Sequence, residues 1–317
     1  MFVPALLLLA ATYAHSEQPN GIPARCTRPP VQSLDESLRR TITQQNASLA
    51  AARVRGDVAE LMAHYAPHSV VMPEHQPRLW GVQQAEAYYR ALFARLPVSA
   101  LTFTTVDILP LAGGGLEWGT FKLVYRATDG AAPSALDGKY VHLWRPQPDG
   151  RVKLAAEVWG YVAPLEHPSS HWFAGLDSAG GHVGDADPAI AAELAVLNAA
   201  NAQSVQQHTP ARIAQYAQDA VYLPYADAPQ VGIAAIRSHL LPYIARGRSA
   251  TFETVDVGND GFDIVDGHVI EYSKFAVRWR SGDAAGITSG GGLRVWRREA
   301  DCTLRIIRQI GTHDHRP

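Results

Sequence analysis

The fold of this chain is decided by a nine-residue stretch that occurs twice. The first copy is YAPHSVVMP at residues 65–73, and the second is YAQDAVYLP at residues 216–224. The tyrosine, the alanine, one valine and the closing proline coincide at an offset of 151 residues (216 − 65). Such a match at one fixed distance indicates an internal duplication.

Further matches lie on both sides of this stretch and occur in the same order in both halves. Their offsets stay between 149 (251 − 102) and 154 (271 − 117) residues. The matching positions are residues 102–107 with 251–256, Glu117 with Glu271, Phe121 with Phe275, Trp144 with Trp296 and Gly160 with Gly311. The 317-residue length therefore divides into two copies of one unit, as the usual size of a domain also suggests.

Each copy predicts the same order of elements. In the first copy, the segment from Ser33 to Glu36 fits a capping box with Ser33 as the N-cap, which opens a long helix up to about Arg55. A short helix follows from residue 57, and residues 187–188 and 209–210 (Asp-Pro and Thr-Pro) open the equivalent helices of the second copy. Then come a short strand, a third helix and four segments with the alternation of a sheet that is covered on one face. These four segments are residues 101–109, 116–127, 139–145 and 152–162, with counterparts up to residue 312.

This order resembles the SnoaL-like (nuclear-transport-factor-2-like) superfamily. The resemblance rests on the Tyr-Ala-x-x-Ala/Ser-Val pattern, on GKYVHLWR at residues 138–145, and on the turn at residues 149–150 followed by VKL. It covers residues 33–162 and 187–315. It implies an α+β fold: two tandem cone-shaped barrels, each with three N-terminal helices packed on a curved antiparallel sheet. The superfamily includes ketosteroid isomerase and polyketide cyclases as well as transport factors, so it implies a pocket and not one reaction.

The segments outside the two copies predict export. Residues 1–16 contain an apolar run, from Ala5 to Ala11, of the length of a signal-peptide core, although no basic residue precedes it. A buried N-terminal helix is the alternative, and the prolines that follow disfavour it. We therefore expect a signal peptide at 1–16, a Pro-rich tail at 17–32, domains at 33–162 and 186–315, a linker at 163–185, and a periplasmic or secreted protein.

Composition limits the partners. The net charge is −2 and 18% of the residues are charged, so no basic field is present to hold nucleic acid. The leader run is too short for a stable membrane span. The two cysteines, Cys26 and Cys302, permit one disulfide, and two separate thiols are the alternative. His313 and His315 alternate, but no third metal ligand is identifiable, so no metal site is expected.

The superfamily resemblance implies acid–base chemistry without a cofactor, with a carboxylate base beside a proline just beyond the short strand. At that position Glu74 follows Pro73, whereas Tyr225 follows Pro224. Glu74 becomes a candidate base if the pocket desolvates it, and the alternative is a solvated loop carboxylate.

His142 is the second catalytic candidate, because it shares one strand face with Tyr140 and Trp144. On the next strand Glu157 is placed to orient it, and a surface cross-strand pair is the alternative. In the second copy the position of His142 holds Arg294 (294 − 142 = 152), and Arg308 and Ile310 are taken to replace Glu157 and Trp159.

Aromatic residues are the candidate walls of the two pockets and suit a small hydrophobic or aromatic ligand. Ordinary core packing is the alternative interpretation. The candidates are Trp80, Tyr88, Trp118, Tyr140, Trp144 and Trp159 in the first copy, with Tyr222, Tyr225, Arg294 and Trp296 in the second. The glycines at 290–292 are interpreted as turn or strand-entry residues.

Two functions fit these patterns. The first is an exported small-molecule-binding protein, with isomerase-, cyclase- or lyase-like catalysis in the first domain. The second is a non-catalytic interaction module that uses its sheet faces, so that the two copies form a pseudo-dimer within one monomeric chain. A ligand cavity favours the first function, and a filled cavity with an exposed apolar sheet face favours the second.

Overall fold

The computed structural model describes residues 26–29, 33–126, 132–176, 181–182 and 184–315. The predicted signal peptide and most of the Pro-rich tail lie outside these residues. None of the helices in the described part of the chain has the length and apolarity needed to cross a membrane.

The first half forms three helices and one six-stranded sheet. The helices are α1 (Glu36–Arg55), α2 (Val58–Ala63) and α3 (Val82–Arg95). The strands are β1 (Tyr65–Pro73), β2 (Leu79–Trp80), β3 (Val98–Leu111), β4 (Gly114–Tyr125), β5 (Ser134–Pro146) and β6 (Val152–Tyr161). Their order in the sheet is β2-β1-β6-β5-β4-β3. A short 3₁₀ helix (Pro168–His171) follows the sheet.

The second half repeats this arrangement. Its helices are α4 (Pro188–Gln206), a 3₁₀ helix (Pro210–Gln215) and α5 (Gly232–Gly247). Its strands are β7 (Tyr216–Leu223), β8 (Gln230–Val231), β9 (Thr251–Val265), β10 (His268–Ser281), β11 (Ala284–Arg298) and β12 (Leu304–His313), in the order β8-β7-β12-β11-β10-β9. The predicted tandem α+β fold is confirmed.

Each sheet is mixed, whereas a purely antiparallel sheet was expected. The four long strands of each half are antiparallel, but β1 runs parallel to β6 and β7 runs parallel to β12. In each half the strand that precedes the third helix (β1 or β7) lies in the sheet beside the last strand of that half (β6 or β12). The parallel pairing of β1 with β6 places the residues after β1 next to the end of β6.

One predicted helix start is wrong and a second lacks its predicted capping bond. The N-cap of α1 is Asp35 and not Ser33, because the Asp35 carboxylate accepts a hydrogen bond from the Ser37 backbone N–H at 3.0 Å. In the second half the predicted start is confirmed, since Thr209 is the N-cap and Pro210 the first residue of a helix, which is a 3₁₀ helix. The Thr209 hydroxyl donates to the Ser204 hydroxyl at 3.3 Å and leaves the helix start without a side-chain cap.

The two halves pack through the outer faces of their sheets. This shared cluster of buried side chains contains Val70, Met72, Trp118, Leu143 and Val158 from the first half, and Val221, Leu223, Tyr272, Leu293 and Ile310 from the second. Ion pairs surround it, among them Arg145 with Asp263 at 3.0 Å and Arg308 with Asp107 at 2.7 Å. Apolar burial therefore joins the halves, and charges at its edge orient them.

A disulfide between Cys26 and Cys302 joins the N-terminal tail to the turn before β12. The alternative of two separate thiols is thereby excluded. Nearby, Arg28 forms an ion pair with Glu299 on the second half. The tail of the first half is thus attached to the body of the second.

Candidate functional site

The inner face of the first sheet carries a buried polar network. Glu117, His142 and Glu157 lie on three adjacent strands and face one another directly in the strand register. All three side chains are fully buried, at 0% exposure. Helix α1 contributes Asn46 and Arg53 from above the sheet. The structure therefore brings His142 and Glu157 together, and the two positions were selected from the sequence.

His142 bridges the two carboxylates. Its Nε2 atom lies 3.3 Å from Glu157 Oε1, and its Nδ1 atom lies 3.2 Å from Asn46 Oδ1 and 3.6 Å from Glu117 Oε2. The Asn46 amide donates to Glu117 Oε1 at 2.6 Å. The imidazole is thus held from both ring nitrogens, which fixes its orientation.

The carboxylate oxygens of Glu157 and Glu117 accept further hydrogen bonds from neighbouring side chains. Glu157 accepts hydrogen bonds from Arg53, from the Tyr65 hydroxyl and, at 2.6 Å, from the Tyr89 hydroxyl. Glu117 accepts hydrogen bonds from its own set of donors. These are Thr105 at 2.6 Å, Tyr140 at 2.7 Å and Trp144 Nε1 at 2.9 Å. The carboxylate oxygens are satisfied within the protein, as buried charges require, whereas Arg53 Nε is buried without a hydrogen-bond partner.

The protonation states follow from these contacts. Burial acts to raise the pKa of Glu157, but the Arg53 guanidinium and the hydrogen bond from His142 outweigh it and hold that pKa well below its usual range. Burial also opposes the shift at Glu117, where hydrogen bonds led by His142 lower the pKa to about 2. Burial acts to lower the pKa of His142, but hydrogen bonds to both carboxylates raise it. Two carboxylates and two cations result, and the set is neutral.

The interior of the first cone is filled by this neutral network and by the aromatic side chains around it. Tyr88, Tyr140 and Trp144 pack into the same interior as the network, each at 0% exposure, and Trp159 joins them. A carboxylate with a lowered pKa, with its oxygens engaged by internal donors, is a weak proton acceptor. The predicted walls of the first pocket therefore fill the space that a ligand would need.

Glu74 lies on the other side of the sheet. The Tyr161 backbone N–H donates to its Oε2 atom at 3.0 Å, and a Cβ atom on outward-facing Gly160 would stand 1.9 Å from that oxygen. The expectation of a solvated carboxylate is wrong, since Glu74 is 0% exposed. Burial raises its pKa to about 7, although the Lys139 ammonium acts in the opposite direction. Glu74 and His142 are separated by the sheet and cannot act on one substrate.

Several other predicted wall residues also lie between the halves. Trp80 and Trp118 belong to the sheet-to-sheet cluster, and the Trp80 ring is 5.5 Å from that of Tyr272. Tyr225 stacks on His313 at 3.9 Å, beside His75 of the first half. Alternation along a strand predicts two faces but does not say which of them is inside, so these side chains were assigned to the wrong face.

The second half carries a reduced version of the network. Glu271 faces Arg294, and Arg294 faces Gln309, on the three corresponding strands. Arg294 Nη1 donates to Asn198 Oδ1 at 2.7 Å and lies 3.5 Å from Glu271 Oε2. Trp296 Nε1 donates to the same carboxylate at 2.9 Å. One carboxylate and one guanidinium make this set neutral as well.

The observed strand register aligns β12 with β6 one residue further along than the match made from the sequence. Gln309 and Gly311, not Arg308 and Ile310, occupy the positions of Glu157 and Trp159, at an offset of 152 (309 − 157). In each half the pairing of the last two strands shifts by one residue just before the strand tryptophan. A sequence match anchored on the final glycines does not reveal this irregularity.

The second cone has fewer aromatic side chains than the first. Tyr140 and Trp159 correspond in register to Gly292 and Gly311, so no aromatic side chain projects from those positions. Phe121 is buried against the Trp159 ring at 6.2 Å, whereas its counterpart Phe275 is only half-buried. Phe275 lines a cavity of about 760 Å³ between α4 and strands β9 to β11.

The walls of this second-half cavity are apolar with a charged rim. Ala199, Ala202, Val255, Val257, Phe275 and Ala276 supply the walls, and Gln203, Gln206, Lys274, Asp314 and Arg78 supply polar groups. Arg78 comes from the first half and bonds Asp260 at 2.7 Å, as does Lys274 at 2.6 Å. Tyr222, Tyr225, Arg294 and Trp296 were the predicted walls of this half, and none of them lines the cavity.

The sequence held one signal for this cavity, the glycine run at 290–292. These residues lie in the middle of β11 and are not turn residues, so that interpretation is wrong. A glycine run inside a strand marks a place without side chains to fill the adjacent space. Gly290 is itself part of the cavity wall.

The comparisons with known proteins concern the fold. No protein-family model matches the sequence, and no curated protein matches it. Among solved structures, the chain is similar to a ketosteroid isomerase-like protein from Erwinia carotovora (14% identity, 41% of this chain and 100% of that one, TM-score 0.38). It is also similar to an NTF2-like superfamily protein from Salmonella enterica (14% identity, 41% and 94%, TM-score 0.35).

A third similar structure is a cystatin-like domain of unknown function from Nostoc punctiforme (12% identity, 42% of this chain and 83% of that one, TM-score 0.34). Each of these proteins covers about two fifths of the chain, the length of one half.

Proposed function

We propose that this protein binds a small, largely apolar molecule in the cone of its second half. The observation that carries the proposal is the contrast between the two cones. The first is filled by aromatic side chains and a buried ionic network, and the second holds a cavity of about 760 Å³. That volume lies within the usual range of ligand pockets, roughly 300–1,000 Å³.

The wall chemistry supports a ligand with an apolar body and polar ends. Valine, alanine and phenylalanine side chains supply apolar contact, and Gln203 and Gln206 offer hydrogen bonds along one wall. The charged rim suits a group that remains hydrated. We extend the proposal to an exported, periplasmic or secreted binding protein on the basis of the apolar leader at residues 5–11.

Catalysis by Glu74, His142 and Glu157 is not part of this proposal. Glu74 lies on the opposite face of the sheet, and the other two are fully buried in a neutral network. The alternative function was an interaction module that uses its sheet faces. The structure supports such an interaction only between the two halves of one chain, because their outer sheet faces cover each other. The first half therefore acts as a structural partner of the second.

The test uses a variant that fills the cavity. Ala202 lines the cavity from α4, whereas Ala195 is exposed on the same helix and does not line it. We expect 1-anilinonaphthalene-8-sulfonate to bind the wild type with one site and to bind Ala202→Trp at least about tenfold more weakly, because the indole occupies the cavity.

The control variant Ala195→Trp should bind the dye like the wild type. Native mass spectrometry of the protein purified from its expression host would then identify any retained molecule. Unchanged dye binding by Ala202→Trp would contradict the proposal.

A further inference from the structure

A separate groove lies at the end of the second half, where α4, the 3₁₀ helix, α5 and β9 meet. Its volume is about 270 Å³. Its apolar wall is formed by Val205, Ile244 and Phe252, and its polar groups include His208, Arg212 and Arg246. We call it the arginine groove. It shares no lining residue with the second-half cavity described above.

The two arginines of the groove have no counter-charge. Among the described residues, neither guanidinium forms an ion pair or a hydrogen bond, and Arg212 Nε is buried without a partner. Instead, both guanidiniums lie near the face of the Tyr243 ring, Arg212 at 5.7 Å and Arg246 at 6.0 Å from its centroid. A buried guanidinium N–H without an acceptor is costly, which favours an acceptor supplied from outside.

The duplicated chain provides an internal comparison. The matching groove of the first half has a volume of about 500 Å³ and contains Arg53, Arg55 and Arg90. There each arginine is neutralised by a carboxylate of the protein, in the pairs Arg53 with Glu157, Arg55 with Glu60, and Arg90 with Glu86.

All three carboxylates are lost in the second half. The positions of Glu60 and Glu86 hold Ala211 and Arg237, at the offset of 151 (211 − 60 and 237 − 86). The position of Glu157 holds Gln309 by the strand register. The arginines of the first groove are replaced as well, since Val205, Gln206 and Leu241 stand at the positions of Arg53 (205 − 53 = 152), Arg55 (206 − 55 = 151) and Arg90 (241 − 90 = 151). Arg212 and Arg246 are therefore different cations, placed in a groove that has lost the acids of its counterpart.

The backbone at the groove is also under strain. His208 has a φ of 51°, in the left-handed region that residues other than glycine rarely adopt. Its ring lies 4.5 Å from the Phe252 ring, at the edge of the apolar wall. Strained residues of this kind gather at binding sites.

We propose that the arginine groove binds a small organic carboxylate with a compact apolar body. The guanidiniums of Arg212 and Arg246 take the carboxylate, because their planar N–H groups match its two oxygens. The apolar body lies against Phe252 and Ile244. A volume of about 270 Å³ limits the ligand to a molecule of benzoate size. This site is independent of the function proposed for the second cone.

The experiment is calorimetric titration of the full chain with sodium benzoate, phenylacetate and hexanoate, and with benzamide and inorganic phosphate as comparison ligands. We expect at least one carboxylate to bind about tenfold or more tightly than benzamide, because hydrogen bonds to a charged acceptor are stronger than those to a neutral amide. Arg246 is exposed, so Arg246→Gln should fold normally and weaken carboxylate binding about tenfold.

Two matched variants complete the test. Arg248→Gln removes an exposed arginine outside the groove and should leave the affinity unchanged. Ala202→Trp should also leave it unchanged, which separates this site from the second-half cavity. The proposal is overturned if no carboxylate binds at about 10 mM, if phosphate alone binds, or if Arg246→Gln binds like the wild type.

Discussion

At the scale of single residues, the two halves conserve charge balance rather than residue identity. The first half buries Glu117 and Glu157 with His142 and Arg53. The second half replaces Glu157 by Gln309 and His142 by an arginine, and Val205 stands at the position of Arg53 (205 − 53 = 152). Because an unpaired buried charge costs several kcal/mol, the acid and the base had to be lost together.

The sequence predicted part of this network. The alternation of β5 and β6 brought His142 and Glu157 together, since neighbouring strands place facing residues in contact. Arg53 was missed because it lies 104 residues before its partner Glu157, on a helix whose rotation over the sheet is set by packing. Local pattern contains no information about that contact.

Replacing His142 tests the network. His142→Ala should lower the free energy of unfolding by about 3 kcal/mol or more, because it leaves two buried carboxylates with one cation. The measurement is urea unfolding followed by circular dichroism. The control is His167→Ala, whose side chain is 78% exposed and should change stability by less than about 0.5 kcal/mol. Equal midpoints for the two variants would refute the role given to His142.

At the scale of elements, the sequence predicted the helices and long strands but not the pairing between distant strands. The helices and the four long strands of each half were predictable from apolar alternation and capping residues. The parallel contact of β1 with β6 and the one-residue shift before Trp144 and Trp296 were not, since both depend on pairing between distant segments. The glycines of β11 were assigned to a turn for the same reason.

Two facing glycines give a matched test of this strand. Gly292 has a φ of 156°, and a Cβ atom there would stand 2.0 Å from the Ile310 carbonyl oxygen. Gly311, its register partner, has only one atom near that position, at 4.0 Å. We expect Gly292→Ala to lower the free energy of unfolding by about 2 kcal/mol or more and Gly311→Ala to change it by less than about 1 kcal/mol. The measurement is thermal unfolding of both variants. Similar losses of stability in the two variants would contradict the close approach of β12 to Gly292.

At the scale of the whole molecule, histidines concentrate where the two halves meet. The His75 backbone N–H donates to the His313 carbonyl at 2.8 Å, and the His75 ring lies 6.5 Å from that of His171. Burial, followed by the neighbouring histidines, lowers the pKa of His75, His171 and His313 to about 4. All three are therefore neutral in the folded protein near pH 7.

This junction predicts acid sensitivity. A histidine whose folded pKa is lowered contributes stability above its unfolded pKa of about 6.5, and that stability is lost as the pH falls toward about 4. Buried Glu74, whose pKa is raised to about 7, gains its proton over the same range and offsets part of the loss. We expect the urea midpoint to fall between pH 6.5 and pH 4, and to fall less in His313→Gln. A midpoint that rises on acidification would exclude this account.

The bond between Cys26 and Cys302 has a consequence for the connectivity of the molecule. It spans 276 residues, so the first half, the segment between the halves and the second half up to Cys302 belong to one covalent ring, from which β12 extends. A protease that cuts this ring once, for example within residues 163–185, converts it into a linear chain without releasing either half. Separation requires a cut and a reductant together. In an oxidising compartment a nicked molecule would keep both halves, and with them the paired sheets on which the second cone rests.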